Sequence, residues 1–542
     1  MKSRPRTHPV LAFIASLAFV ATAASVSAAA PSDPPANPIS GFFITLSTTD
    51  AANIQKLTDI KAVGGDTVIA FGNTLRPASL ATVPADCLIG GVNCAQAAAT
   101  GVAIGRIFTY SDGSHWGTVA LKCPRDMSIT SNGKLFTILV FAAQGGACNS
   151  PNGIYDVVVV SGGNPAAADA AVSMAAAATT LGMHFYAGMP DPIKRTDLNN
   201  LPDLSYLDTF NQFTIRFLQF QAAVNNVAGL AGFYHHMEMP LSDSTYFDPV
   251  LTLYTVQNQA IARILPTRAA VVSPYIDSRI SSGGHITPAQ AGNAARRIAL
   301  TRSGIALYIA VQDGMGTSLG GSYFGDEAAL PVDQYAAAYV GAGAWGSKYV
   351  APNRDFYLAA AQGVAGTGAT LWANMEGMAP PVGTNTCDTN TRGQTTKARI
   401  DRQLQQMANA PAKVISFMWD SYYTCTVNGQ TLAQQIKAGN TTPVITDAFF
   451  NAATGAVQVT GFNLSGATVA VKWTDAAGQV RGATVAGSGY NAAYGQQQGL
   501  NPRLQTITAL VGPTTVGPGK YYMVNVTNGW GQTNDAYFSK LG

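Results

Sequence analysis

Eight short apolar segments, most of them separated by stretches of helical period, constrain this chain more than any other feature. They are GFFITLS (41–47), DTVIAFGN (66–73), MHFYAGM (183–189), GLAGFYHHME (229–238), AAVVSPYID (269–277), IALYIAVQD (305–313), ATLWANME (369–376) and KVISFMWD (413–420). Near-continuous apolar runs suit strands buried on both faces, and strands that alternate with helices build a parallel sheet. Eight is the number that closes such a sheet into a barrel. The spacing therefore predicts an α/β fold, a (β/α)8 TIM barrel over about 38–438. The intervening helices are read from TDAANIQKLTDIKAVG (49–64), LSYLDTFNQFTIRFLQFQAAVNN (204–226), TPAQAGNAARRIALTRSG (287–304) and TTKARIDRQLQQMANAP (395–411). Thr48 or Thr49 stands where the first helix needs its N-cap, and Gly64 lies near its end.

Two regions depart from that rhythm. About 110 residues (74–182) separate the second and third strands and hold four of the six cysteines. Their strand-like runs 134–143 and 154–162 and an Ala-rich helix (166–181) read as a disulfide-containing insertion, about 76–165, on the mouth of the barrel. From 441 to 542 the chain becomes rich in Gly, Thr and Val. Short alternating strands at 456–464, 467–475, 503–512 and 520–529 predict a small all-β sandwich.

The chain opens with Lys2, Arg4 and Arg6, an apolar run (11–24) and the small residues Val26-Ser27-Ala28, the pattern of a signal peptide ending near residue 29. The run is short for a membrane span, so no stable membrane anchor is expected. The formal charge of +3 falls to zero once those three basic residues are removed. A neutral chain without a basic run lacks the field that nucleic acid or an anionic membrane needs. An even cysteine count behind a signal peptide suggests disulfides and a secreted protein, extracellular or periplasmic. The economical pairing is Cys87–Cys94, Cys123–Cys148 and Cys387–Cys425; other pairings stay open. No cysteine spacing resembles a zinc site.

Leaving aside Asp277, which is read below as half of an ion pair, four of the strand segments end on a single acid: Glu238, Asp313, Glu376 and Asp420. A lone carboxylate at the end of an apolar run is costly unless wet or used. In a parallel barrel all four gather at the C-terminal mouth, where barrel enzymes do their chemistry. Two carboxyl groups flanking a bond are what glycoside hydrolysis needs: one protonates the leaving oxygen, the other attacks the anomeric carbon or activates water. Side chains two apart share a strand face. Tyr234 and His236 therefore accompany Glu238, and Trp372 and Asn374 accompany Glu376. His235 has the opposite parity and is expected against the helix layer. Asp313 is read as a binder of sugar hydroxyls or a like-charge neighbour of Glu238. Asp420, with Trp419 and Tyr422 beside it, suits a sugar-binding rim; a helix cap or salt bridge is the equal alternative for it. Asp277 and Arg279 read as a structural ion pair.

The positions of Glu238 on strand four and Glu376 on strand seven resemble the large retaining glycoside-hydrolase superfamily of TIM barrels. That resemblance implies acid/base and nucleophile roles, respectively. Met237 stands where the superfamily usually has Asn. The blocks DTVIAFGN, GFYHHMEMP, VSPYIDSR, IAVQDGMG and LWANMEGM resemble a secreted, glycoside-hydrolase-like barrel family of unknown function. The C-terminal segment resembles immunoglobulin-like domains. Together these imply a secreted glycoside hydrolase with a carbohydrate substrate, no cofactor and no metal. The rivals are a metal-dependent hydrolase using His235, His236, Glu238 and Asp313, and a carbohydrate-binding surface protein without turnover. The stretch GMGTSLGGSYFG (314–325) has no lysine for a phosphate loop and reads as a mobile active-site loop. No G-x-S-x-G elbow is present.

Overall fold

The structure, a computed structural model, describes residues 29–144, 148–165, 167–198, 201–387, 391–451, 453–513, 517 and 520–540. The signal-peptide reading thus lies outside the described residues, apart from Ala29. Eight parallel strands close into one barrel: β1 (Gly41–Ile44), β2 (Thr67–Ala70), β3 (His184–Gly188), β4 (Leu230–Tyr234), β5 (Ala269–Val272), β6 (Leu307–Gln312), β7 (Thr370–Glu376) and β8 (Val414–Phe417). Each pairs with the next in sequence, and β8 returns to β1 through Gly41↔Ile415 and Phe42↔Ser416. Strand parity divides the side chains into two cores. Phe43, Ile69, Tyr186, Tyr234, Val271, Ala310, Trp372 and Ile415 fill the lumen, whereas Phe42, Val68, Phe185, Phe233, Ile309 and Ala373 face the helices. Gly232 in β4 has a steric reason: a Cβ there would lie 2.1 Å from the Ala269 carbonyl oxygen of β5.

The helices begin and end where local chemistry directs. Pro288–Ala299 starts on a Thr287–Gln290 capping box with proline in its first turn. Ala170–Leu181 is capped by Asp169, which accepts from the Ala171 and Val172 amides, and ends on left-handed Gly182. Asp50–Ala62 has Thr49 at its N-cap position, but the threonine side chain makes no capping bond.

The insertion forms a six-stranded mixed sheet in the order Asp191–Pro192, Thr74–Ala78, Ala103–Tyr110, Ile154–Ser161, Lys134–Ala142, Met127–Ser131. Both strand-like runs of the insertion therefore belong to this sheet and not to the barrel. Past residue 443, two four-stranded antiparallel sheets enclose a separate core that includes Ile445, Val459, Val471, Ile507 and Val524. This β unit is fastened to the barrel. Arg354 bonds Asp447 at 2.8 Å, Arg503 bonds Asp66 at 2.9 Å, and Phe324 from the loop after β6 enters the β core against Tyr537. The cysteines are bridged Cys87–Cys94, Cys123–Cys148 and Cys387–Cys425. Among the described residues, no helix is long and apolar enough to cross a membrane.

Candidate active site

At the C-terminal mouth of the barrel lies an open cleft of about 360 Å³. Glu238 and Glu376 both line it, with Tyr275, Gln312, Thr317, Leu319, Met378, Thr391, Arg392, Phe417 and Tyr422. Glu376 is the last residue of β7. Glu238 stands beyond the end of its strand, because β4 leaves the ladder after Tyr234, four residues earlier than the apolar pattern suggests. The chain stays tied after that point: the His235 amide donates to Val271 O at 2.9 Å and Tyr275 N to Met239 O at 3.0 Å.

The two carboxyls are held differently. Glu376 is 4% exposed and accepts from the Gly316 amide at 2.5 Å. Burial pushes its carboxyl well up from the ordinary range, and the adjacent Asp313 pushes it further. Asp313, 1% exposed, accepts from the Met315 amide (3.1 Å), the Glu376 amide (3.2 Å) and Gln403 Nε2 (2.8 Å). Burial raises Asp313 as well, against those donors. Two enclosed carboxyls side by side retain a proton between them, because both cannot ionise cheaply. Glu238 is half-buried and accepts from Gln312 Nε2 at 2.9 Å, while Gln312 also bonds Ser273 O. Burial raises it too, opposed by that bond and by the Lys194 charge.

The remaining expected residues separate into groups. Tyr422 reaches the cleft wall. Tyr234 and Asn374 lie beneath the cleft inside the lumen: Tyr234 edge-on to Phe43, Asn374 donating to Ser273 Oγ at 2.9 Å. His236 is on the same side, half-buried, with Nδ1 2.8 Å from Gly72 O. Asp313 is enclosed behind Glu376 and has no surface for a ligand. Asp420 points to the rim of β1, where it pairs with Lys56 at 2.8 Å and accepts from the Thr45 amide at 2.7 Å. Trp419 turns outward, between Phe42 and Tyr423 in the helix-layer core. His235 packs against the helix layer, 2.7 Å from Asn258 Oδ1. Burial holds it down at about 4, so it stays neutral. Asp277 and Arg279 pair at 2.7 Å.

The loop at 314–325 is tied rather than slack. Besides Gly316, Leu319 N bonds Gly314 O, Gly321 N bonds Asn353 Oδ1, the Tyr349 hydroxyl bonds Ser318 O, and Arg399 Nη2 bonds Met315 O at 2.7 Å. The sequence reading missed Gln312, Tyr275 and Thr317, which carry no charge to draw attention. It also missed Asp191, a buried acid just past β3 whose flanking prolines read as a turn. The adjacent histidines face opposite layers, and among the described residues no group of three His, Cys, Asp or Glu side chains is close enough to hold a metal.

No family model and no curated protein sequence matches this chain. Solved structures resemble it distantly. A protein described as a candidate α-L-fucosidase from Bacteroides thetaiotaomicron aligns at 12% identity and TM-score 0.40, over 75% of this chain and 94% of its own. Chitinase ChiA74 from Bacillus thuringiensis aligns at 8% identity and TM-score 0.33, over 93% and 84%. The exo-chitosanase CsxA from Amycolatopsis orientalis aligns at 9% identity and TM-score 0.30, over 93% of this chain but 48% of its own.

Proposed function

We propose that this protein is a glycoside hydrolase that cleaves a polysaccharide or oligosaccharide by a retaining, two-carboxylate mechanism. One observation carries the reading: Glu238 and Glu376, from the exits of β4 and β7, line the same open cleft at the mouth of the barrel. In the forward step Glu238 gives its proton to the leaving oxygen, and Glu376 attacks the anomeric carbon once ionised. Glu238 then takes a proton from the water that releases the sugar. The raised affinity of Glu238 for its proton suits the donor role. Glu376 must first lose its proton, and the Gly316 amide and the Arg392 charge both favour its ionised form. Asp313 acts as a positioning residue through Glu376 and not on the sugar itself. The reading extends to the rest of the chain: a cleaved signal peptide near residue 29, a secreted protein, and an immunoglobulin-like domain at 441–542.

The test is reducing-sugar release from a broad panel of polysaccharides by wild type, Glu238→Gln and Glu376→Gln. Release by wild type that both variants lose supports the assignment and names the substrate. Binding without release, unchanged in the variants, overturns it.

A further inference from the structure

The loop that holds Glu376 carries a hydroxyl without a partner among the described residues. Thr317 lines the cleft together with Glu238 and Glu376. It follows directly on Gly316, whose amide donates to Glu376 Oε2 at 2.5 Å. The Thr317 Oγ1 is shut off from water and makes no hydrogen bond. Buried polar groups are nearly always paired, and an orphan calls for a reason.

Slackness is not the reason, because the residues on both sides of Thr317 are fixed. Arg399 Nη2 donates to Met315 O at 2.7 Å, and a Cβ on Gly316 would crowd Met378 Cγ at 2.4 Å. On the other side Ser318 is buried. Its hydroxyl donates to Tyr335 O at 3.2 Å, and its carbonyl accepts from the Tyr349 hydroxyl at 3.1 Å. Ser318 also stands in the left-handed region, at a φ of 54°. A serine there is strained, and such strain persists only where the surroundings impose it, as they do at ligand sites. The serine hydroxyl shows that this loop can satisfy a hydroxyl internally. The threonine hydroxyl is left over, at the cleft wall and next to the glycine that holds Glu376.

We propose that Thr317 is a specificity-determining residue: its hydroxyl bonds a ring hydroxyl of the sugar seated against Glu376, so the cleft selects a sugar hydroxylated at that position over its deoxy counterpart. The proposal rests on the glycoside-hydrolase reading. A threonine hydroxyl both donates and accepts, as a sugar hydroxyl does, so the two match whichever way the proton points. Thr317 is partly exposed, and a turn of χ1 between staggered wells brings Oγ1 round to the cleft. A site built to bond a hydroxyl rejects the analogue that lacks it, because the protein group is then left unpaired.

The experiment compares wild type, Thr317→Val and Thr317→Ser on the glycoside that wild type hydrolyses and on its monodeoxy forms, reading kcat/KM and melting temperature. Wild type should prefer the parent over one monodeoxy form by about tenfold or more. Thr317→Val, which keeps the shape and loses the hydroxyl, should lose about tenfold on the parent but stay within about threefold of wild type on that deoxy form. Thr317→Ser should restore the parent to within about threefold. The Val variant should melt no lower than wild type, since the hydroxyl it removes has no partner in the free protein. A wild type indifferent to every deoxy form, a Val variant with unchanged kcat/KM on the parent, an equal loss on all substrates, or a clearly lower melting temperature overturns the role of Thr317 and leaves the glycosidase reading standing. Failure of wild type on every glycan overturns that reading, and this one with it.

Discussion

The two halves of the cleft are built on different plans. On the β7 side, Glu376 is fixed from every direction. The Gly316 amide holds its oxygen, Asp313 holds its backbone amide, and Gln403 bonds both Asp313 and Glu376 O. The loop that supplies Gly316 continues to Phe324, which is sunk into the core of the C-terminal β unit. The Cys387–Cys425 bridge ties together the loops after β7 and β8. On the β4 side, Glu238 accepts from the Gln312 side chain and has more open surface. The difference fits the two roles proposed for these carboxyls. An attacking oxygen gains from being held within a fraction of an ångström, while a group that gives and retakes a proton must address two partners in turn.

The largest test of that contrast is removal of each carboxyl. Glu376→Gln should lower kcat by on the order of 10⁴, because it removes the carboxyl proposed to form the covalent bond. Glu238→Gln should lower it by about 10² to 10⁴. A substrate with a good leaving group should recover activity in the Glu238 variant alone, since it needs no proton. Recovery in the Glu376 variant instead would reverse the two roles.

Asp313→Asn asks whether the tight side is also tuned by charge. Removing the like charge lets Glu376 ionise at lower pH, so the acidic limb of kcat/KM should move down the pH scale. Gln403, whose Oε1 has no partner, can turn its amide to accept from the new donor. An unmoved limb would show that burial alone sets Glu376.

Much of this architecture is legible in the chain because strands buried on both faces are written as apolar runs. That same rule hides the end of β4: HHMEMP continues the buried pattern after the ladder has stopped, since Met237 and Met239 pack into the helix layer. The insertion is harder still. Ala103–Tyr110 pairs in parallel with Ile154–Ser161, and the other partner of Ile154–Ser161, Lys134–Ala142, lies between the two in sequence but not in space. No local signal carries that order. The site splits similarly. Charged strand ends announce themselves, whereas Gln312 and Thr317 matter through position alone. Asp420 shows the converse, a conspicuous acid already occupied by Lys56.

A weaker effect joins the two halves. Asp191, Glu238 and Glu376 all have proton affinities raised by burial, so the folded chain holds more protons than the unfolded chain above pH 4. Stability therefore falls as pH rises toward the folded values. His235, held low, acts oppositely, but only below about 6.5, its ordinary value. Between pH 6.5 and 8.5 the carboxyls of Asp191 and Glu376, both pushed up to about 8, dominate. Unfolding free energy should decline over that window by on the order of 1 kcal/mol for a fully buried group, and the melting temperature with it. Asp191→Asn and Glu376→Gln should each flatten the decline. A flat wild-type curve would mean that these carboxyls are solvated in solution.

The smallest effect belongs to the rim. Asp420 ends its segment as the other acids do, yet its oxygens are spent on Lys56 and the Thr45 amide, linking the β8 exit to the β1 exit. The side chain of Asp420 is 24% exposed and that of Lys56 16%, so solvent screens the pair. Such a pair contributes about 1 kcal/mol or less. Asp420→Asn should leave kcat and KM within about twofold and lower the melting temperature only slightly, because the amide oxygen can still accept from Thr45. A large rise in KM would mean that Asp420 leaves Lys56 when substrate arrives. The β8 exit would then join the β4 exit as a yielding part of the cleft, and rigidity would belong to the surroundings of Glu376 alone.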